Sequence, residues 1–402
     1  MAPTSAASAG CRTLRRRSAA VLAASAAVFV VSCPLAPPAL AETDANGVVT
    51  VGGPALASHG LVVDPLPGAP ALPKHISAHG WLVADLDTGD ILAARDPHGR
   101  YLPASTLKTL TAVTLLPRLD PSSVFRATDA DAEIDGTRVG LVPRFRYTVR
   151  DLFTAMLVMS ANDAALALAE SYGGVPKTLR AMNRVARHLQ AYDTVARTPS
   201  GLDARGQSTS AYDLALIAKA GLAMPEFRHY IGIVSANFPA PHRKHYQIYT
   251  HDDLLVQYRG AIGVKDGYTV KARSSFVGAA TRGGHTLVVT LLRAKPYSWH
   301  EAARLLDWGF ASLGRVWPVG ELVDPRQPGA PPSAPPPAIA PPVKVTATTV
   351  PIRRHGVLGM GELAAPVGAG AGVVLLLLAW GIARHRRRRR WRPARRMSLP
   401  PI

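Results

Sequence analysis

Between about His75 and Val316 the apolar residues change their spacing twice, and that order constrains the fold more than any other feature. In GWLVADLDTGDILAARD two short apolar runs flank Asp87-Thr88-Gly89-Asp90, as in a β-hairpin with its turn at those residues. In STLKTLTAVTLLPRL, VRDLFTAMLVMSANDAALALAESY and STSAYDLALIAKAGLA they recur every three or four residues, as in helices with one buried face. Strand character returns in AIGVKDGYTV and in SSFVGAATRGGHTLVVTLLRA, a hairpin turning at Gly283-Gly284, and SWHEAARLLDWGFASL closes as an amphipathic helix. Strands at both ends with helices between predict an α+β fold. One antiparallel sheet is flanked by helices, with an inserted helical lobe and a cleft between lobe and sheet.

The chain of 402 residues extends beyond this unit on both sides. Residues 1–41 read as a signal peptide: a basic start, an apolar run from Ala19 to Val31, and a small-residue cleavage site at Ala39-Leu40-Ala41. Val30-Val31-Ser32-Cys33 offers lipidation at Cys33 as the alternative. Both cysteines, Cys11 and Cys33, precede Ala41, so the mature chain would have neither a disulfide nor a thiolate metal site. Residues 42–74 read as an irregular lead-in and 317–362 as a stalk, with ten prolines among the 27 residues from Pro325 to Pro351. Leu363 to Ala383 is 21 residues without a charge, the length of a transmembrane helix. The basic tail 384–402 that follows would stay in the cytoplasm, leaving the folded unit outside a single-pass cell membrane.

Lys and Arg number 46 against 27 Asp and Glu, a net charge of +19 that invites a nucleic-acid reading. Nine arginines between Arg384 and Arg396, with Arg12, Arg15, Arg16 and Arg17, supply most of that excess. The body is only mildly basic, and its Tyr and Trp residues lack the basic interleaving suited to nucleic acid.

The chemistry gathers in three short segments. In PASTLKTLTA, Pro103-Ala104 stops any preceding helix, so Ser105 falls in the first turn of a helix and Lys108 stands on the same face. That pairing suits acyl transfer: an amine made neutral by burial and a neighbouring cation can take the hydroxyl proton. An N-capping serine beside a solvated lysine would carry the same letters. In MLVMSANDAALALAE, polar Ser160-Ala161-Asn162 interrupts an apolar run, as a break between two helices at a cleft does. There Ser160 can relay a proton and Asn162 can hold the lysine and a substrate amide; a plain helix cap is the rival. In GVKDGYTV, Lys265 on a strand edge followed by Gly267 suits a carboxylate-bearing substrate, though edge lysines are also common for solubility. Ser235-Ala236-Asn237, before a loop-like FPAPHRKH, and Lys219-Ala220-Gly221, in a helical pattern, show how little each tripeptide means alone.

Together and in this order, PASTLKTLTA, MSANDAALALAE, GLDARGQSTSAYDLAL, KDGYT and LLDWGF resemble the penicilloyl-serine transferases. Within that family the likeness is to serine D-alanyl-D-alanine carboxypeptidases of low molecular mass, with a β-lactamase/transpeptidase-like fold. The resemblance implies Ser105 as nucleophile, Lys108 as its base and Ser160 as proton relay. It also implies Asn162, Lys265, Gly267, Tyr268 and Thr269 at the substrate, with the backbone amides of Ser105 and Tyr268 as oxyanion hole. Peptidoglycan stem peptides would be the substrates and β-lactams covalent inhibitors, with no metal or other cofactor. Asp266 departs from the family pattern, which has Thr or Ser there, and Thr269 is the candidate substitute hydroxyl. Arg273 and Arg293 are candidates for gripping the terminal carboxylate. A class A-like β-lactamase is the alternative enzyme, with Glu170 in the region of its deacylating residue; a non-catalytic penicillin or muropeptide receptor is the alternative outside enzymes.

Competing constellations are poorer. Asp131-x-Glu133-x-Asp135-Gly136 begins like a calcium loop but has Val142 where a bidentate Glu belongs, and reads as a surface turn. His242, His245, His251 and Asp252 in HRKHYQIYTHDD could ligate a metal, but a solvated or substrate-side loop is the reading adopted.

Overall fold

The structure is a computed structural model that describes residues 50–326. The expected signal peptide, most of the stalk, the segment 363–383 and the basic tail lie outside the described residues. Among the described residues no helix is long and apolar enough to cross a membrane.

Five strands make the body of the sheet: β1 (Gly80–Asp85), β2 (Asp90–Arg95), β3 (Ala261–Thr269), β4 (Arg273–Arg282) and β5 (His285–Ala294). Their order is β2-β1-β5-β4-β3, with every neighbour antiparallel. Both hairpins turn where the sequence places them, and the β1–β5 pairing, with Val83 opposite Val289, joins the two ends of the chain into one sheet. All six residues of β1 are buried. Leu82 and Ala84 pack into one core with the helical lobe, while Trp81 and Val83 pack into a second core with Leu305 and Leu306. A strand covered on both faces is apolar throughout rather than alternating.

Six longer helices surround the sheet: α1 (Lys108–Leu115), α2 (Val149–Val158), α3 (Asn162–Ser171), α4 (Val175–His188), α5 (Ala211–Leu222) and α6 (Trp299–Ser312). α6 supplies Leu305 and Leu306 to the second core, and the others belong to the first. All eight residues of α1 are buried, which makes it the central helix. α2 begins at a reciprocal cap: Thr148 accepts from the Asp151 amide, and Asp151 accepts from the Thr148 amide. α4, not anticipated above, begins after Gly173 and Gly174, both in the left-handed region.

Three expectations are corrected. The lead-in is built into the fold from residue 50: Leu61–Val62 pairs with β2, and Leu56 is fully buried. The stalk cannot start at 317, because Gly320–Glu321 also pairs with β2 and Leu322 is buried. FPAPHRKH is not a loop: Ser235–Ala240 and Lys244–Tyr249 form a hairpin, whose Phe238 stacks on Tyr147 at 5.4 Å. Prolines are tolerated there because the hairpin is a separate two-stranded ribbon with free edges.

Candidate active site

Ser105 lies in a short 3-10 turn, Ala104–Leu107, that leads directly into α1. Ala104 has φ 49° and its carbonyl is crossed closely by the Thr198–Leu202 segment: a Cβ on Gly201 would lie 1.8 Å from Ala104 O. Only glycine fits that crossing, and it fixes the turn. The partly exposed Ser105 stands at the mouth, and Lys108 is wholly buried beneath it.

The Lys108 amine has three oxygens around it. Nζ lies 2.9 Å from Ser105 Oγ, and donates to Asn162 Oδ1 at 2.7 Å and to the Ser200 carbonyl at 2.7 Å. A neutral amine has two N–H bonds and one lone pair. With the two carbonyl-type oxygens taking the N–H bonds, the lone pair is left facing the serine hydroxyl. Burial first, and then the Lys265 charge, hold the Lys108 pKa well below its ordinary value; Asp266 and Asp163 oppose this without reversing it. A buried lysine next to a second cation is the arrangement that yields a base at moderate pH.

Asn162 is the first residue of α3, and Met159-Ser160-Ala161 forms the break from α2. Ser160 has φ 64° and is 5% exposed. A non-glycine residue held there stores on the order of 1 kcal/mol of strain, and the turn that brings Asn162 to Lys108 carries Ser160 with it. The segment dismissed as a surface turn proves to be the support: Asn162 Nδ2 donates to the Asp135 carbonyl at 2.7 Å. Asp163, fully buried, accepts from the backbone amides of Val139, Gly140, Leu141 and Ala164. Gly136 has φ 82° and a Cβ there would lie 2.8 Å from Asn162 Nδ2. Its DG pair was the available sign of a tight turn, but nothing in the sequence pointed that turn at Asn162.

The opposite wall is β3, the outermost strand of the sheet. Its free edge runs past the serine turn so closely that a Cβ on Gly267 would lie 2.6 Å from the Ser105 nitrogen and 3.0 Å from that of Thr106. The buried Lys265 donates to the Asp266 carbonyl at 3.0 Å and pairs with Asp266 Oδ1 at 2.5 Å. Burial works against ionisation of Asp266, but the Lys265 ammonium outweighs it and holds the carboxyl below the usual range. Tyr268 is 58% exposed beside the cleft. The Thr269 hydroxyl is already engaged, donating to Asp203 Oδ1 at 2.8 Å and accepting from the Ala272 amide at 2.9 Å.

The remaining candidates separate. Arg273 stands opposite Thr269 in the β3–β4 register and Arg293 is exposed near the end of β5. Glu170 is exposed eight residues along α3 from Asn162, about 12 Å down the axis. Asp131 and Thr128 cap the short helix Asp129–Glu133 reciprocally. His242 sits in the turn of the 235–249 hairpin, His245 is exposed on it, and Asp252 caps the helix Asp253–Gln257. At His251, burial, reinforced by the Lys265 charge and opposed by Asp266, holds the pKa below the ordinary histidine value.

A nucleophile, a buried amine of lowered pKa, an amide and a strand edge carrying the Lys265–Asp266 pair thus converge in one cleft. The family model described as D-alanyl-D-alanine carboxypeptidase (peptidase S11) matches residues 68–296. The chain belongs to this family. Among its carboxypeptidase relatives, DacB2 of Mycobacterium tuberculosis is 43% identical over 265 residues, 64% of this chain and 88% of that one. DacD of Salmonella typhimurium is 32% identical over 279 residues, 65% and 69% of the respective chains. The crystal structure of a D-alanyl-D-alanine carboxypeptidase from Mycobacterium tuberculosis H37Rv superposes with a TM-score of 0.61 at 42% identity, covering 65% of this chain and all of that one. The Streptomyces K15 DD-transpeptidase does so with a TM-score of 0.57 at 26% identity, covering 60% and 100%. The α+β architecture is that of these penicillin-binding enzymes, and the protein is a hydrolase of the D-alanyl-D-alanine carboxypeptidase type.

Proposed function

We propose that the protein removes the terminal D-alanine from peptidoglycan stem pentapeptides through an acyl-enzyme on Ser105, and that β-lactams acylate the same oxygen. The observation that carries this reading is the buried Lys108 amine, 2.9 Å from Ser105 Oγ, with its other two partners both acceptors. As Oγ attacks the D-Ala-D-Ala carbonyl carbon, Lys108 Nζ takes its proton, and the developing oxyanion faces the amides of Ser105 and Tyr268. Such donors typically contribute ~3–4 kcal/mol. Ser160 passes a proton to the leaving nitrogen and takes one in return from the Lys108 ammonium, which becomes an amine again; the C–N bond breaks, and D-alanine departs. Water then attacks the Ser105 ester, losing a proton to the Lys108 amine, and Oγ recovers a proton as the shortened peptide leaves. Asn162 orients both the amine and the substrate amide. Lys265 meets the terminal carboxylate, and the edge of β3, with Gly267, Tyr268 and Thr269, lies alongside the peptide backbone.

The catalytic unit is exported behind the signal peptide and held outside the cell membrane by the 363–383 helix on its proline-rich stalk. Labelling with a fluorescent penicillin and assaying D-alanine release, in wild type and Ser105→Ala, tests the activity. Stable label with release of D-alanine, both lost in Ser105→Ala, is the expected result. Label without release would make the protein a receptor, and rapid loss of label with drug hydrolysis a β-lactamase.

A further inference from the structure

Lys265 and Asp266 are consecutive on β3, and consecutive strand residues normally point to opposite faces of a sheet. Their side chains nevertheless meet at 2.5 Å. This is possible because β3 is the outermost strand, so the carboxylate can wrap around its free edge onto the lysine. The Lys265 side chain is 1% exposed and that of Asp266 is 32% exposed. A buried ammonium requires a partner, and among the described residues the acceptors bonded to this one are both oxygens of Asp266. Its main partner is a carboxylate, the same group that terminates the substrate.

We propose that Asp266 is an internal competitor for the substrate carboxylate: in the free enzyme it occupies Lys265, and a ligand's terminal carboxylate must displace it. The inference rests on the assignment of Lys265 to that carboxylate. The Asp266 side chain is partly exposed on the outermost strand, so its carboxylate is the solvent-side member of the pair. An incoming anion therefore meets a neutral pair with its negative member outermost, not a bare cation. A hydroxyl residue at 266, as the family resemblance leads one to expect, would leave the ammonium open. Ligands with an uncharged end gain nothing from Lys265 and are indifferent to the competition. Asp266 thus acts as a specificity residue that selects against weakly held carboxylates, including those of β-lactams.

The test separates this proposal from the catalytic reading by measuring binding without turnover. In the full-length chain carrying Ser105→Ala, dissociation constants are measured for an N-acylated Lys-D-Ala-D-Ala peptide and for its C-terminal amide. The measurement is repeated after adding Asp266→Asn, which keeps the shape, or Asp266→Thr. Both substitutions are expected to tighten the free acid about tenfold while moving the amide by less than about twofold. The proposal is overturned if the acid is unchanged or weakened in both variants, if acid and amide move together, or if neither probe binds any variant. Failure of the Ser105-intact enzyme to release D-alanine would sink the catalytic reading alone, since the acid-to-amide ratio is read without it.

Discussion

Lys108 and Lys265 are both buried, lie close enough to feel one another's charge, and differ in what surrounds them. Lys108 is held by a hydroxyl, an amide oxygen and a peptide carbonyl, all uncharged. Lys265 is paired with a carboxylate. Burial penalises the charged form of either amine, but only the second has a counter-charge in contact to offset the penalty. The ammonium so retained then works through space on the first, helping to keep it neutral. Two residues of one type are divided into a base and a charge by a single neighbouring carboxylate.

Arginine breaks this symmetry most sharply, since it keeps a positive charge and cannot act as a base. Lys108→Arg is expected to slow acylation by labelled penicillin about 10³-fold. Lys265→Arg retains the charge and should lose only about tenfold, with thermal melting confirming that both variants fold. Gly267→Ala forces a methyl against the Ser105 nitrogen, displaces the nucleophile from its amine, and should cost about 10²-fold in the same assay.

Lys108 works when deprotonated and its pKa is lowered, so acylation should rise with pH and reach its half-maximum well below the ordinary lysine range. Asn162→Asp places a carboxylate on Nζ, favours the ammonium, and should move that limb upward by about one pH unit or more. The smallest effect concerns the scaffold. Asp163→Asn weakens the three backbone bonds that hold the 139–141 segment, and denaturant unfolding should show a loss of about 2 kcal/mol.

Both hairpins, the α2–α3 break and the Ser105–Lys108 turn were legible because each is a local pattern: short apolar runs around a turn, or polar residues interrupting an apolar period. The contacts that complete the site are not local. Ser200 approaches Lys108 from 92 residues away through its carbonyl, a group every residue has. Gly201 reads as a loop glycine until the Ala104 carbonyl is seen against it. The pairing of Asp266 with its neighbour defies the alternation rule, because at the free edge of the sheet a carboxylate can wrap around the strand onto the lysine. The missed ends of the domain have the same cause: two-residue strands such as Gly320–Glu321 are too short to show a period.

The central claim is that Lys108 is an amine in the free enzyme, and nitrogen NMR of ¹⁵Nζ-labelled lysine reads it directly. Assigned by its absence in Lys108→Arg, the resonance should pass from ammonium to amine at a midpoint well below the ordinary lysine value. A midpoint near the ordinary value of about 10.4 would contradict the account.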